Sequence, residues 1–233
     1  MDKIDISDTL IERPVSFCYK RRRYSIYPLS LGKLQLCSRL IGALGFDKIR
    51  RDGELYSLAL KSAQSRRNEC LRLVSYITLP YMECLDESLV QERIGKLRRI
   101  KKNDLASVLV LFLMMDKTAA IMSEFGIDKE SRRLSDVLRV KSQSKDSGAV
   151  SFGGKSIWGT LVDAACERYG WTYQYTVWGI SYCNLQLLLA DHVKSVFLTD
   201  EERRKCNIPK DNIVVRASDA DALENLIKHQ SWR

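Results

Sequence analysis

The run from Leu105 to Met115 is apolar on nearly every side, and it constrains the fold more than any other stretch of the chain. A helix with almost no polar face belongs in the middle of a protein. The run is far short of the roughly 20 apolar residues that a membrane crossing needs. Amphipathic helices elsewhere in the chain must therefore cover it. The composition supports this: only 4 prolines and 12 glycines occur in 233 residues, while Leu, Arg, Lys, Ala and Glu are plentiful. That balance favours helix. A chain of this length can bury a core without metals or disulfides.

Strand periodicity is clearest near the N-terminus. Val15, Phe17 and Tyr19 alternate with polar residues, and Tyr24 and Ile26 do so again after Lys20-Arg21-Arg22-Arg23. Two period-2 runs around a polar turn predict a β-hairpin. Pro28 ends it, and Ser30 then caps a helix carrying Leu31, Leu34, Leu36, Leu40 and Ile41. Gly42, Gly45 and Gly53 mark a loop. A helical stretch over about 54–79, with a break near Ser65, stops at Pro80. Asp86 opens another, with Leu89, Val90, Ile94, Leu97 and Ile100 on one side. Asn103 reads as the cap of the central helix, which runs to about Phe125 and ends at Gly126. A further helix is expected from Ser131 to Val140.

Small polar residues from Lys141 to Gly148 then mark a linker. Beyond it Ser156, Thr172 and Ser181 each read as a helix cap. Gly170 suits a left-handed C-terminal cap. Thr199-x-x-Glu202 has the spacing of a capping box. A brief strand at Ile213–Val215 and a helix from Ser218 complete the pattern. The expectation is a mainly α protein: an N-terminal β-hairpin packed on a helical domain (1–141), a linker (142–154), and a small aromatic-rich helical module with a C-terminal tail (155–233).

Few patterns in the chain carry catalytic chemistry. Seven cysteines are scattered without any C-x-x-C pair, so neither a zinc site nor a disulfide framework is expected. Free thiols fit a reducing compartment. Only two histidines occur, His192 and His229, and neither has a nucleophile nearby in sequence. Gly153-Gly154-Lys155-Ser156 imitates a phosphate-binding loop, but Ala149 stands where that motif needs its first glycine. The expectation is no enzyme, no cofactor and no metal. The first thirteen residues alternate acidic and apolar side chains, unlike a signal peptide, so a soluble intracellular protein is expected.

The net charge of +9 points to an acidic partner or simply to solvated helix faces. Residues 169–180, with a glycine turn between an apolar helix and a Thr-capped one, resemble a helix-turn-helix. The would-be recognition segment Tyr173–Trp178 holds no Arg, Lys or Asn, so nucleic acid is disfavoured. A nucleic-acid-binding regulator that uses Arg98 and Arg99 is the alternative reading.

What does stand out is a crowd of aromatics: Trp158, Tyr169, Trp171, Tyr173, Tyr175, Trp178 and Tyr182, three of the four tryptophans among them. Some must fill a core. Seven in so small a unit exceeds what packing needs, which points to a surface that grips a protein.

Two segments resemble the tail assembly chaperones of long-tailed bacteriophages and prophages. The first is Tyr24-Ser-Ile-Tyr-Pro28-Leu-Ser-Leu-Gly32-Lys-Leu, similar to the strand, Pro-Leu-Thr/Ser-Leu-Gly and helix opening of that family. The second is Ala165-Cys-Glu-Arg-Tyr169-Gly170-Trp171-Thr-Tyr-Gln-Tyr175-Thr-Val-Trp178-Gly-Ile180, similar to its aromatic-Gly-Trp module. Together they cover about a quarter of the chain. The resemblance implies a non-enzymatic chaperone in the bacterial host cytoplasm, away from membranes, that binds the tape measure protein and recruits tail tube subunits. On that reading Trp171, Tyr175 and Trp178 contact the tube protein. Ile94 and Leu97 contact the tape measure, with Arg98 and Arg99 alongside. A homo-oligomer is left open. Many members add their second part by ribosomal frameshifting, whereas this chain holds both segments continuously.

Overall fold

The computed structural model describes residues 3–48, 52–142, 156–191 and 196–208. The expected linker, apart from Ser142, lies outside them, as do the Gly153–Lys155 motif, both histidines, the strand at 213–215 and the helix from Ser218. The described residues are mainly α-helical with one antiparallel hairpin near the N-terminus. The chain divides into two compact units, residues 1–127 with 153–191 and residues 128–152 with 192–233. This division differs from the sequence-based one in a definite way: residues 156–191 share a unit with the N-terminal helices.

In the first unit α1 (Lys3–Leu10) precedes the hairpin of β1 (Val15–Tyr19) and β2 (Arg22–Ile26). Tyr24 and Ile26 point inward and are buried, as the alternation predicts. Phe17 stacks on Tyr24 with ring centroids 5.4 Å apart. Lys20 and Arg21 alone connect the strands, both at positive φ, 47° and 59°. Two-residue turns of this kind favour Asn-Gly, because a Cβ in the left-handed region costs about 1–2 kcal/mol per residue. Lys20→Asn combined with Arg21→Gly is therefore expected to raise the unfolding free energy by about 1–2 kcal/mol. A higher urea midpoint at unchanged slope is the readout. A lower midpoint would mean that the two side chains hold the turn by contacts that outweigh its strain.

After Pro28 come α2 (Leu31–Leu44), α3 (Asp52–Ser65), α4 (Arg67–Thr78), α5 (Glu87–Leu97), α6 (Lys102–Leu113) and α7 (Thr118–Glu124). Asp86 caps α5 as expected, accepting a 2.8 Å hydrogen bond from Ser88 N. Gly45 closes α2 at φ 80°. Gly42 and Gly53, expected in a loop, are instead helical. The central helix is α6: Leu105, Ala106, Val108, Leu109 and Phe112 are buried in a core shared with β2, α2, α3, α4 and α5. Its main neighbour is α3, whose buried Ala59 and Ala63 lie one turn apart. Small side chains let the two helix axes approach closely. Residues 102–124 have the length and apolar character of a membrane span. They are nevertheless two helices, broken where the Asp116 carboxylate accepts from Thr118 N at 3.0 Å. Asn103 lies inside α6 rather than at its cap, which is Lys101.

The unit is completed by α9 (Ile157–Tyr169), a π-helical turn at Tyr175–Gly179 and α10 (Tyr182–Ala190). Ser156 and Ser181 cap their helices, accepting from Gly159 N and Asn184 N, and Gly170 sits at φ 65°. In the second unit lie most of α8 (Ile127–Ser142) and all of α11 (Asp200–Lys205). Thr199 and Glu202 form the predicted capping box, and Lys141 Nζ donates to the Phe197 carbonyl at 2.9 Å.

Candidate protein-binding groove

The two segments at 24–34 and 165–180 meet in space. Ser30 and Ser181 form an isolated antiparallel bridge, and Tyr182 N donates to the Leu29 carbonyl at 2.7 Å. Ser30 occupies the N-cap position, but its hydroxyl makes no capping bond, contrary to the sequence expectation. Glu12, itself at φ 56°, sends its carboxylate to Ser181 N (2.8 Å) and Asn184 Nδ2 (3.0 Å). The Trp178 indole lies over Gly32, so close that a Cβ there would stand 2.7 Å from the ring. The same indole packs against Leu79, Cys84 and Val90.

Beside this junction opens a cleft of about 530 Å³. Tyr27, Pro28 and Leu29 form one wall and Leu34 and Ile41 of α2 another. Residues 111–118, at the break between α6 and α7, form a third, and Tyr182 and Cys183 close the end. Burial pushes the Tyr182 phenol and the Cys183 thiol above their ordinary values, so both stay uncharged at neutral pH. Met114 is 59% exposed at the lip, and Leu111 is exposed beside it. At one edge Asp8 pairs with Arg13 at 3.1 Å, an exposed pair worth little in stability. The volume matches ordinary ligand clefts, and the apolar walls suit the side chains of an amphipathic helix.

The sequence-predicted site residues fare differently. None of the seven clustered aromatics is fully buried. Trp171 stacks on Tyr169 (4.6 Å between centroids) and meets the edge of Tyr175 (5.1 Å). Tyr175 and Tyr173 are 46% and 69% exposed, so this ladder reaches solvent. Trp178 is turned inward onto α2 and so serves the fold. Leu97 is 0% exposed in the main core, and Ile94 packs half-buried against it. The apolar stripe of α5 is thus spent on the interior, which corrects the expectation that Leu97 faces a partner. Arg98 and Arg99 are exposed. The segment tested as a recognition helix contains a single π-helical turn with Thr176 and Val177 buried. A DNA-reading helix needs an exposed face longer than that.

The groove escaped sequence reasoning because its walls come from elements far apart along the chain. One signal was present: Met114-Met115 ends the apolar run, and flexible thioethers recur at adaptable binding surfaces. A second, more open cleft of about 450 Å³ lies between α2 and α9, with Gln35, Trp158, Val162 and Tyr173 on its walls. Among the described residues no three His, Cys, Asp or Glu side chains gather closely enough to hold a metal ion. Comparison with protein-family profiles, curated proteins and solved structures finds no match to this chain.

Proposed function

We propose that this protein is a non-enzymatic phage or prophage tail assembly chaperone that acts in the bacterial host cytoplasm. Its groove takes an apolar helix face of the tape measure protein, and the Trp171–Tyr175 ladder engages tail tube subunits. One observation carries the reading. The two segments on which the family resemblance rests pack directly on each other, and residues of the first and the start of α10 line the same apolar groove. Tape measure helices left with bare apolar stripes would aggregate, and a groove of this kind shields such a stripe.

The test is co-expression with the neighbouring tail proteins and capture on a tagged chain. Met114→Glu places a charge at the lip of the groove. It is expected to lower tape measure capture at least tenfold, about 1.4 kcal/mol, while the melting temperature stays within about 2 °C. Trp171→Ala with Tyr175→Ala is expected to lose tube protein alone. Failure to capture either protein would overturn the proposal, as would capture indifferent to Met114→Glu.

A further inference from the structure

Three stretches distant in sequence bring their basic residues onto one surface. Lys20, Arg21, Arg22 and Arg23 are all exposed at the hairpin tip. α5 passes beside the hairpin: the Arg93 guanidinium lies 5.3 Å from the Tyr24 ring centroid. Arg22 is near enough to help hold the Glu92 carboxyl below its usual range, after the larger effect of Lys96. The α5 end continues the surface with exposed Arg98 and Arg99, and Lys101 and Lys102 open α6. Arg67 from α4 borders it, donating to the carbonyls of Arg98 and Ile100. Two of the acids nearby are engaged, Glu92 by Lys96 and Glu87 by Arg72, and Asp104 stands exposed in the first turn of α6.

Two of these placements work against folding. Lys20 and Arg21 sit in the left-handed region that disfavours both. Lys101 and Lys102 stand at a helix N-terminus, where the dipole repels cations. An anionic partner offsets both costs. The surface joins the exposed two-residue turn of the hairpin to the neighbouring ends of α5 and α6. Its donors are forks and ammonium groups suited to phosphate oxygens rather than to a set of base edges.

We propose that this surface binds the phosphate backbone of double-stranded nucleic acid without reading its sequence. The proposal uses neither the groove nor the aromatic ladder, so it stands or falls apart from the chaperone reading. The test is fluorescence anisotropy of the full chain with a labelled duplex of mixed sequence, with a polyglutamate peptide as the acidic-protein probe. Affinity for the duplex is expected to fall about 100-fold between about 50 and 200 mM salt, as for about four neutralised phosphates. Lys20→Asn with Arg21→Gly, which eases the turn, is expected to weaken duplex binding about tenfold and to flatten the salt slope by about two. Arg132→Gln with Arg133→Gln on α8 is expected to leave binding unchanged. Three results would overturn the proposal: no duplex binding, duplex binding indifferent to the turn variant, or polyglutamate bound as tightly with the same salt slope.

Discussion

Gly32→Ala is expected to destabilise the protein by about 1–3 kcal/mol, the range for overpacking a filled site. The sign is informative, because alanine in an open helical position stabilises by about 1 kcal/mol over glycine. Gly32 lies in the first turn of α2, and its added Cβ would stand 2.7–2.8 Å from three atoms of the Trp178 indole. The ring cannot swing away freely, since it also packs against the cluster of Leu79, Cys84 and Val90. Gly95 in α5 is the control, as nothing lies within 4 Å of its added Cβ. Gly95→Ala is expected to stabilise by about 1 kcal/mol. In a Trp178→Ala background the penalty at Gly32 should vanish, giving a coupling of about 2 kcal/mol in a double-mutant cycle by urea unfolding. Simple additivity would show that the indole does not rest on Gly32 in solution.

Lys33→Met is expected to stabilise the protein at pH 7 by about 1–3 kcal/mol, as in other cases where an apolar residue replaces a buried charge. Lys33 is 2% exposed. Its ammonium donates to the Leu79 carbonyl and lies 5.6 Å from the centre of the Tyr27 ring. Burial outweighs the nearby Cys84, Cys37 and Glu83 and lowers its pKa from 10.5. Between that lowered value and 10.5 the unfolded chain holds more protons, so this group adds stability as pH rises. The advantage of methionine should therefore shrink with alkalinity. Cys37 acts in the opposite sense: burial raises its thiol from 9.0 to about 12, so the folded chain holds more protons across that window and stability falls. The loss through Cys37 alone would approach about 4 kcal/mol by the end of the window. Urea unfolding from pH 7 to 11 reads both effects. A Lys33→Met protein clearly weaker than the parent at pH 7 would show that the bond to Leu79, which closes α4, outweighs the buried charge.

Much of the architecture was legible in the chain because it is written locally. Alternation at Val15–Tyr19 and Tyr24–Ile26 identified the hairpin, and Asp86, Ser156, Ser181 and Thr199 marked helix starts by hydrogen bonds within three residues. Errors arose where a local sign did not decide the outcome. Ser30 does hold the N-cap position of α2, yet its hydroxyl makes no hydrogen bond there. Gly42 and Gly53 look like breakers, but neighbouring helical residues carry them through. Leu97 belongs to an apolar stripe, and periodicity does not say whether a stripe faces the protein's own core or a partner.

The sequence alone determined a helical protein with one hairpin and a buried central helix, because periodicity, capping chemistry and the scarcity of proline act over a few residues. Only the tertiary structure decided that Trp178 turns inward onto Gly32 and that Lys33 is enclosed at the end of α4. The apolar groove and the shared basic surface likewise depend on residues that meet only after the helices have packed. Side chains far apart along the chain have no common period or spacing to announce such a meeting, so it is set by which faces bury the most apolar area together.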